Sequence, residues 1–206
     1  MQLYYFPGAC SLAPHILAEE AGIALELVKV DITTGDITTG DIVNGGKFAE
    51  VNPKGYVPAL RLDDGQLLTE VMVILQYLGD LAPASGLVPV AGSMARYRLQ
   101  EWLCFIATEV HKGFGPLWAP DIPETIRQGA LGRLAKRFAW MDAQLAARPY
   151  LLGNEFSAAD CYAFTVLNWA AYLKVDLTPY PALLAFMARV DARPAVQRAL
   201  KAEGLV

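Results

Sequence analysis

The sequence has little sulfur, little histidine and no large surplus of either charge. Three cysteines, Cys10, Cys104 and Cys161, are spread over 206 residues. Their number and spacing suit neither a disulfide framework nor a metal-ligand cluster, and an odd count points to a reducing compartment. No metal is expected. Seventeen basic side chains against twenty-one acidic ones leave a net charge of −4, which offers no positive field for nucleic acid or anionic lipid. The uncharged runs over residues 81–95 and 161–173 are too short to span a bilayer. The opening MQLYYFPGACSL lacks a basic stretch and a long apolar core, so no secretory signal is expected. What is abundant is apolar side chain, 54% of the chain, enough for one large domain or two small ones with cores. The expectation is a soluble cytoplasmic protein with no membrane and no nucleic-acid partner.

The stretch Tyr4 to Gly22, YYFPGACSLAPHILAEEAG, organises the rest. An apolar strand over residues 1–6 breaks at Pro7-Gly8, a turn dipeptide. Cys10-Ser11 follows, then a helical pattern of Leu12, Ile16, Leu17 and Ala21 that stops at Gly22. Cys10 and Ser11 therefore stand where a strand hands over to a helix N-terminus. Unpaired N–H groups and the positive end of the helix dipole favour a thiolate there. A small buried hydrophobe is the other fate of such a cysteine, and placement alone leaves both open.

Residues 25–30 read as a second strand, which makes a β-α-β unit with parallel strands. DITTGDITTGD, residues 31–41, holds one pentapeptide twice and reads as a duplication absorbed by a surface loop. Asn52-Pro53-Lys54-Gly55 is a turn. Residues 57–62 form a strand opened by Pro58, Asp63-Asp64-Gly65 a hairpin, and residues 66–68 its return. A helix then carries Val71, Ile74, Leu75 and Leu78 on its apolar face, with Thr69 as N-cap. The Pro- and Gly-containing residues 81–92 are taken as a domain linker. Beyond it, Ser93 caps a helix bearing Leu99, Trp102, Leu103, Ile106 and Val110, which His111-Lys112-Gly113 ends or kinks. A second long helix spans residues 123–147. Ser157 and Asp160 form a capping box with Phe156 as staple, ahead of a helix so apolar that it is central, with Cys161 a core residue. Two short helices close the chain, and no strand pattern follows residue 81.

The order β-α-β, loop, β-β-α, with Cys at the first helix start and Pro opening the third strand, is thioredoxin-like. PGACSLAPH, NPKGYVPAL, LDDG followed by LLTE, EVHKGF followed by PLW, and the close Ala192-Arg193-Pro194-Ala195-Val196-Gln197 resemble the bacterial beta-class glutathione transferases over the whole length. The resemblance implies an α/β plus all-α fold: a thioredoxin-like glutathione-binding domain over residues 1–81, then a helical-bundle domain over 88–206 forming the electrophile side of a cleft. It implies glutathione as cosubstrate, Cys10 and His111 as catalytic residues, and a cytoplasmic homodimer with a detoxification role. Glutathione contacts would fall to Cys10, Ser11, Val57, Pro58, Glu70, Val71, Cys104, Thr108, Glu109 and His111. In that scheme a cis Val57–Pro58 bond pairs with the glutathione backbone, and the start of the third helix takes the γ-glutamyl carboxylate. Phe6, Phe114 and Trp118 would line the electrophile side. His15 and Tyr5 receive no catalytic role.

Two positions depart from the family pattern. The Lys expected soon after the second strand is absent from Thr33-Thr34-Gly35, and no Lys follows until Lys47. Cys104 stands where an Asn is common, and a thiol donates poorly. The function expected is conjugation of glutathione to hydrophobic electrophiles, with thiol–disulfide chemistry at Cys10 as a second activity. The alternatives are a monothiol glutaredoxin-like oxidoreductase and a non-catalytic protein that binds hydrophobic ligands.

Overall fold

In the computed structural model the sheet grows outward from β1 (Gln2–Tyr5), which lies at its centre. The structure describes residues 1–31, 41–43 and 45–206; most of the duplicated DITTG segment lies outside them. On one side β1 pairs in parallel with β2 (Glu26–Asp31), after the crossover through α1 (Leu12–Ala21). The two-residue β3 (Asp41–Ile42) extends that edge antiparallel to β2. On the other side β1 pairs antiparallel with β4 (Ala59–Arg61), and β4 with β5 (Leu67–Thr69). The order is β3-β2-β1-β4-β5. A single helical turn, α2 (Phe48–Val51), precedes β4 and was not marked in the sequence. It exists because Phe48 buries its ring against Tyr4, 5.7 Å between centroids, in a core shared with Val30, Val57 and Ala59.

α3 (Val71–Leu81) starts one residue later than its polar opening suggests. Thr69 is held in the β ladder opposite Ala59, so Glu70 takes the N-cap position instead. The Glu70 backbone has φ 71°, a left-handed conformation that costs a non-glycine residue about 1–3 kcal/mol.

The chain divides into two compact units, Met1–Ser85 with Pro194–Val206, and Gly86–Arg193. The first therefore includes α9 (Pro194–Glu203), a segment the sequence had grouped with the helices; α9 packs on α1. The second unit contains α4 (Met94–Phe105), α5 (Lys112–Phe114), α6 (Glu124–Leu145), α7 (Ala158–Tyr172) and α8 (Pro181–Asp191), and no strand among the described residues. Ser93 Oγ accepts the Arg96 N–H and caps α4 as its sequence indicates. α7 runs through the middle, with Cys161, Ala163 and Val166 without exposed surface. Its start is tied by Asp160, whose Oδ2 accepts the Ser157 N–H and hydroxyl at 2.8 and 2.7 Å, while Oδ1 accepts the Leu151 N–H at 2.8 Å.

The helix expected to end or kink at His111 behaves differently. It widens to a π-helix over Ile106–His111 and then continues into α5. The Thr108 hydroxyl donates to the Cys104 carbonyl at 3.0 Å, competing for a main-chain acceptor within the helix. Gly113 does not terminate anything. A Cβ there would lie 2.8 Å from Leu134 Cδ2, so glycine is what lets α5 approach α6.

Candidate active site

The first unit concentrates its chemistry in the turn between β1 and α1. Pro7-Gly8 carries the chain out of the sheet, with Gly8 at φ 72°, and Cys10 and Ser11 precede the first helical residue. Ser11 is fully buried, and its hydroxyl is engaged with the Phe6 backbone: Oγ accepts from the Phe6 N–H and donates to the Phe6 carbonyl, each at 3.2 Å. Its side chain thus fastens the turn. Cys10, half-buried, has its Sγ 3.2 Å from the Val57 carbonyl oxygen. A thiol can donate that bond and a thiolate cannot, so ionisation would remove it. The Val57–Pro58 bond is cis. Cys10, Val57 and Pro58 are therefore brought together, with Phe6 half-buried beside the same core.

Glu70 and Val71 stand at the head of α3, where first-turn N–H groups suit an anion. The Glu70 carboxylate is half-exposed and accepts from Lys54 Nζ at 2.8 Å and from the Tyr56 hydroxyl at 2.9 Å. Lys54 also donates to the Thr69 hydroxyl, and its ammonium pKa is raised chiefly by the hydrogen bond to Glu70. Sequence reading missed Lys54 and Tyr56. The turn Asn52-Pro53-Lys54-Gly55 was visible, yet nothing in it shows that its basic side chain reaches Glu70, sixteen positions on.

In the second unit the residues singled out lie along the widened helical segment. His111 is half-buried, and its Nδ1 lies 2.7 Å from the Tyr162 hydroxyl. The Trp169 ring meets it edge to face at 4.8 Å. Tyr162 is also a residue the sequence did not flag. A tyrosine in an otherwise apolar buried helix needs a partner for its hydroxyl, which is the signal that could have found it. Glu109 takes both Nε and a terminal nitrogen of Arg137 at 2.6 Å. Cys104 is exposed, and Thr108 uses its hydroxyl within the helix. Trp118 is 45% exposed and packs on Trp169 and Tyr172. Phe114, expected to line the electrophile side, has no exposed surface. It packs against Phe138 and Trp169 and so backs the aromatic cluster.

Tyr5 is 8% exposed, and burial, helped by the nearby negative charge of Glu203, raises its phenol pKa above the ordinary value. It is a neutral packing residue. Among the described residues no three His, Cys, Asp or Glu side chains converge as a metal site, and no helix is long and apolar enough to cross a membrane.

Residues 8–81 match the family model of the glutathione S-transferase N-terminal domain, and residues 124–189 that of its C-terminal domain. The chain is 46% identical to glutathione S-transferase GstA of Escherichia coli O157:H7, with both chains covered completely. A sphingomonad glutathione S-transferase complexed with glutathione superposes with a TM-score of 0.93 at 46% identity, again over the whole of both chains. The beta-class glutathione S-transferase of Sphingomonas chungbukensis does so at 0.93 and 43% identity, with the same coverage. The chain belongs to the glutathione S-transferase family, in its bacterial beta class.

Proposed function

We propose that the protein conjugates glutathione to hydrophobic electrophiles. The observation that carries the reading is the Cys10 sulfur at 3.2 Å from the carbonyl of Val57, beside the cis Val57–Pro58 bond. A peptide thiol paired with the Val57 backbone would deliver its sulfur to Cys10. The γ-glutamyl carboxylate goes to the head of α3 at Glu70 and Val71, and its ammonium to the Glu70 carboxylate. The first unit then binds glutathione, with Phe6 beside the Cys10 core, and the second carries the electrophile surface, with Trp118 as its exposed ring. His111 assists the thiol chemistry, its imidazole oriented by the Tyr162 hydroxyl at Nδ1. In the reaction the glutathione thiolate forms a C–S bond and the electrophile's leaving group departs with the electron pair of the bond that breaks.

Cys10 supports a second activity. Its thiolate attacks oxidised glutathione, forms a mixed disulfide and releases one glutathione thiolate. A cytoplasmic homodimer fits the same reading. The second unit carries a groove of about 480 Å³ lined by Trp102, Phe105 and Trp140 and edged by Arg98 and Arg148. Those three rings pack at 4.7–5.9 Å and form an apolar face suited to a second copy. The test is turnover with an aryl halide next to reduction of a glutathione mixed disulfide, on wild type and Cys10→Ala. Conjugation that survives the substitution while disulfide reduction disappears supports the division of labour. Loss of conjugation with intact glutathione binding refutes it.

A further inference from the structure

The C-terminal helix reaches back to the turn that carries Cys10. The Gly8 N–H donates to Glu203 Oε2 at 2.9 Å, and Glu203 Oε1 lies 2.9 Å from His15 Nδ1 within α1. One carboxylate therefore spans the strand-to-helix handover, gripping the turn ahead of Cys10 and the helix behind it. The Glu203 side chain is wholly buried and that of His15 is 4% exposed. Burying a carboxylate is costly unless both oxygens are bonded, and here they are. The attachment is reinforced on either side. Leu205 covers Gly8, where a Cβ would stand 3.5 Å from its Cδ2, and Arg198 on α9 binds the Glu19 carboxylate on α1 at 2.7 Å. Gly8 lies in the left-handed region, outside the strand ladder, and the bond to Glu203 helps to fix it there.

We propose that Glu203 is a positioning residue for the Cys10 turn: its carboxylate holds Gly8 and His15 so that Cys10 is presented at the Val57 edge. The inference rests on the glutathione reading of that turn. Because the bond that matters goes to a backbone N–H, any side chain with an acceptor at the same reach restores it. A residue that merely filled space would affect melting alone.

The test compares Glu203→Leu, which keeps bulk and loses both acceptors, with Glu203→Gln, which keeps one. Each is checked for cooperative unfolding, then assayed for the iodoacetamide reaction of Cys10 and for conjugation kinetics. Glu203→Leu should speed Cys10 alkylation about three-fold or more and raise KM for glutathione about ten-fold, with kcat changed less than about three-fold. Glu203→Gln should return both to within about two-fold of wild type. If Glu203→Leu does not fold, Glu203→Asp, one methylene short of spanning both partners, carries the same expectation at a smaller size. A folded Leu or Asp variant with unchanged alkylation and unchanged KM overturns the proposal, as does a Gln variant that fails like Leu. Should the wild type show no glutathione-dependent turnover, the glutathione reading fails, and the alkylation arm alone still decides the role of Glu203.

Discussion

The Cys10 turn and the His111 segment are held by opposite means. Around Cys10 a few directional bonds do the holding: Ser11 to Phe6, Cys10 to Val57, and Glu203 to Gly8 and His15. Around His111 ring packing by Trp169, Phe114 and Trp118 is prominent, beside a hydroxyl from Tyr162. Directional bonds fail one at a time and at full cost, because a buried group left without its partner stays desolvated. Packed rings share their contribution, so one substitution is softened by its neighbours. The first arrangement suits a sulfur that must sit at one place on a backbone edge. The second suits a surface that must accept apolar molecules of varied shape.

The largest effect expected is at the polar anchor of the helical unit, and it asks whether directional bonds are as unforgiving there. Asp160→Asn keeps the shape but cannot accept from Leu151 and both Ser157 donors, and should cost about 2–4 kcal/mol in denaturant unfolding. Its pH dependence tests the cause. Burial pushes the Asp160 carboxyl up to about 6, against the bonds from Leu151 and Ser157, which pull it down. The folded state then binds the proton more tightly than the unfolded chain does. This group's contribution to stability is therefore greatest near pH 4, falls as pH rises to about 6, and is level above. The advantage of wild type over Asp160→Asn should shrink across that window. An advantage that grows with pH would mean the donated bonds outweigh burial.

Next in size is His111→Ala, expected to reduce conjugation about ten-fold, less than a general base can contribute when nothing substitutes for it. Tyr162→Phe removes a directional bond from the ring-packed region. It should lower kcat about three-fold, leaving the melting temperature nearly unchanged. A larger loss than in His111→Ala would mean that the hydroxyl acts beyond orienting the imidazole. Gly113→Ala is the smallest: overlap with Leu134 should cost about 1 kcal/mol of stability without altering Cys10 alkylation. Slower or faster alkylation there would show that the helix contact is felt at the thiol.

The same contrast explains what the sequence made legible. The strand-to-helix handover at Cys10 was readable because Pro7-Gly8 and Gly22 mark both of its ends, and Gly22 is indeed the left-handed C-cap of α1. Ser157 and Asp160 were readable because a capping box is a local pattern. Glu203 was not, since its partners Gly8 and His15 lie 195 and 188 residues away and a lone acid in a closing helix looks like any solvated one. His15, given no role on the sequence, is part of that buried pair. Thr69 was misplaced as a cap because its pairing with Ala59 is a tertiary demand that local chemistry does not show. The π-helix before His111 has no residue signature of its own, and Gly113, which looked like a stop, answers to a neighbouring helix instead.

The most direct test of the central claim is where oxidised glutathione reacts. Cys104 is exposed, Cys10 half-buried and Cys161 buried, so unassisted chemistry would favour Cys104. Brief incubation with oxidised glutathione at neutral pH, followed by mass mapping of each cysteine, should place one glutathione per chain on Cys10 with Cys104 unmodified. Modification of Cys104 first, with Cys10 untouched, would contradict the assignment of the Cys10 turn as the glutathione site.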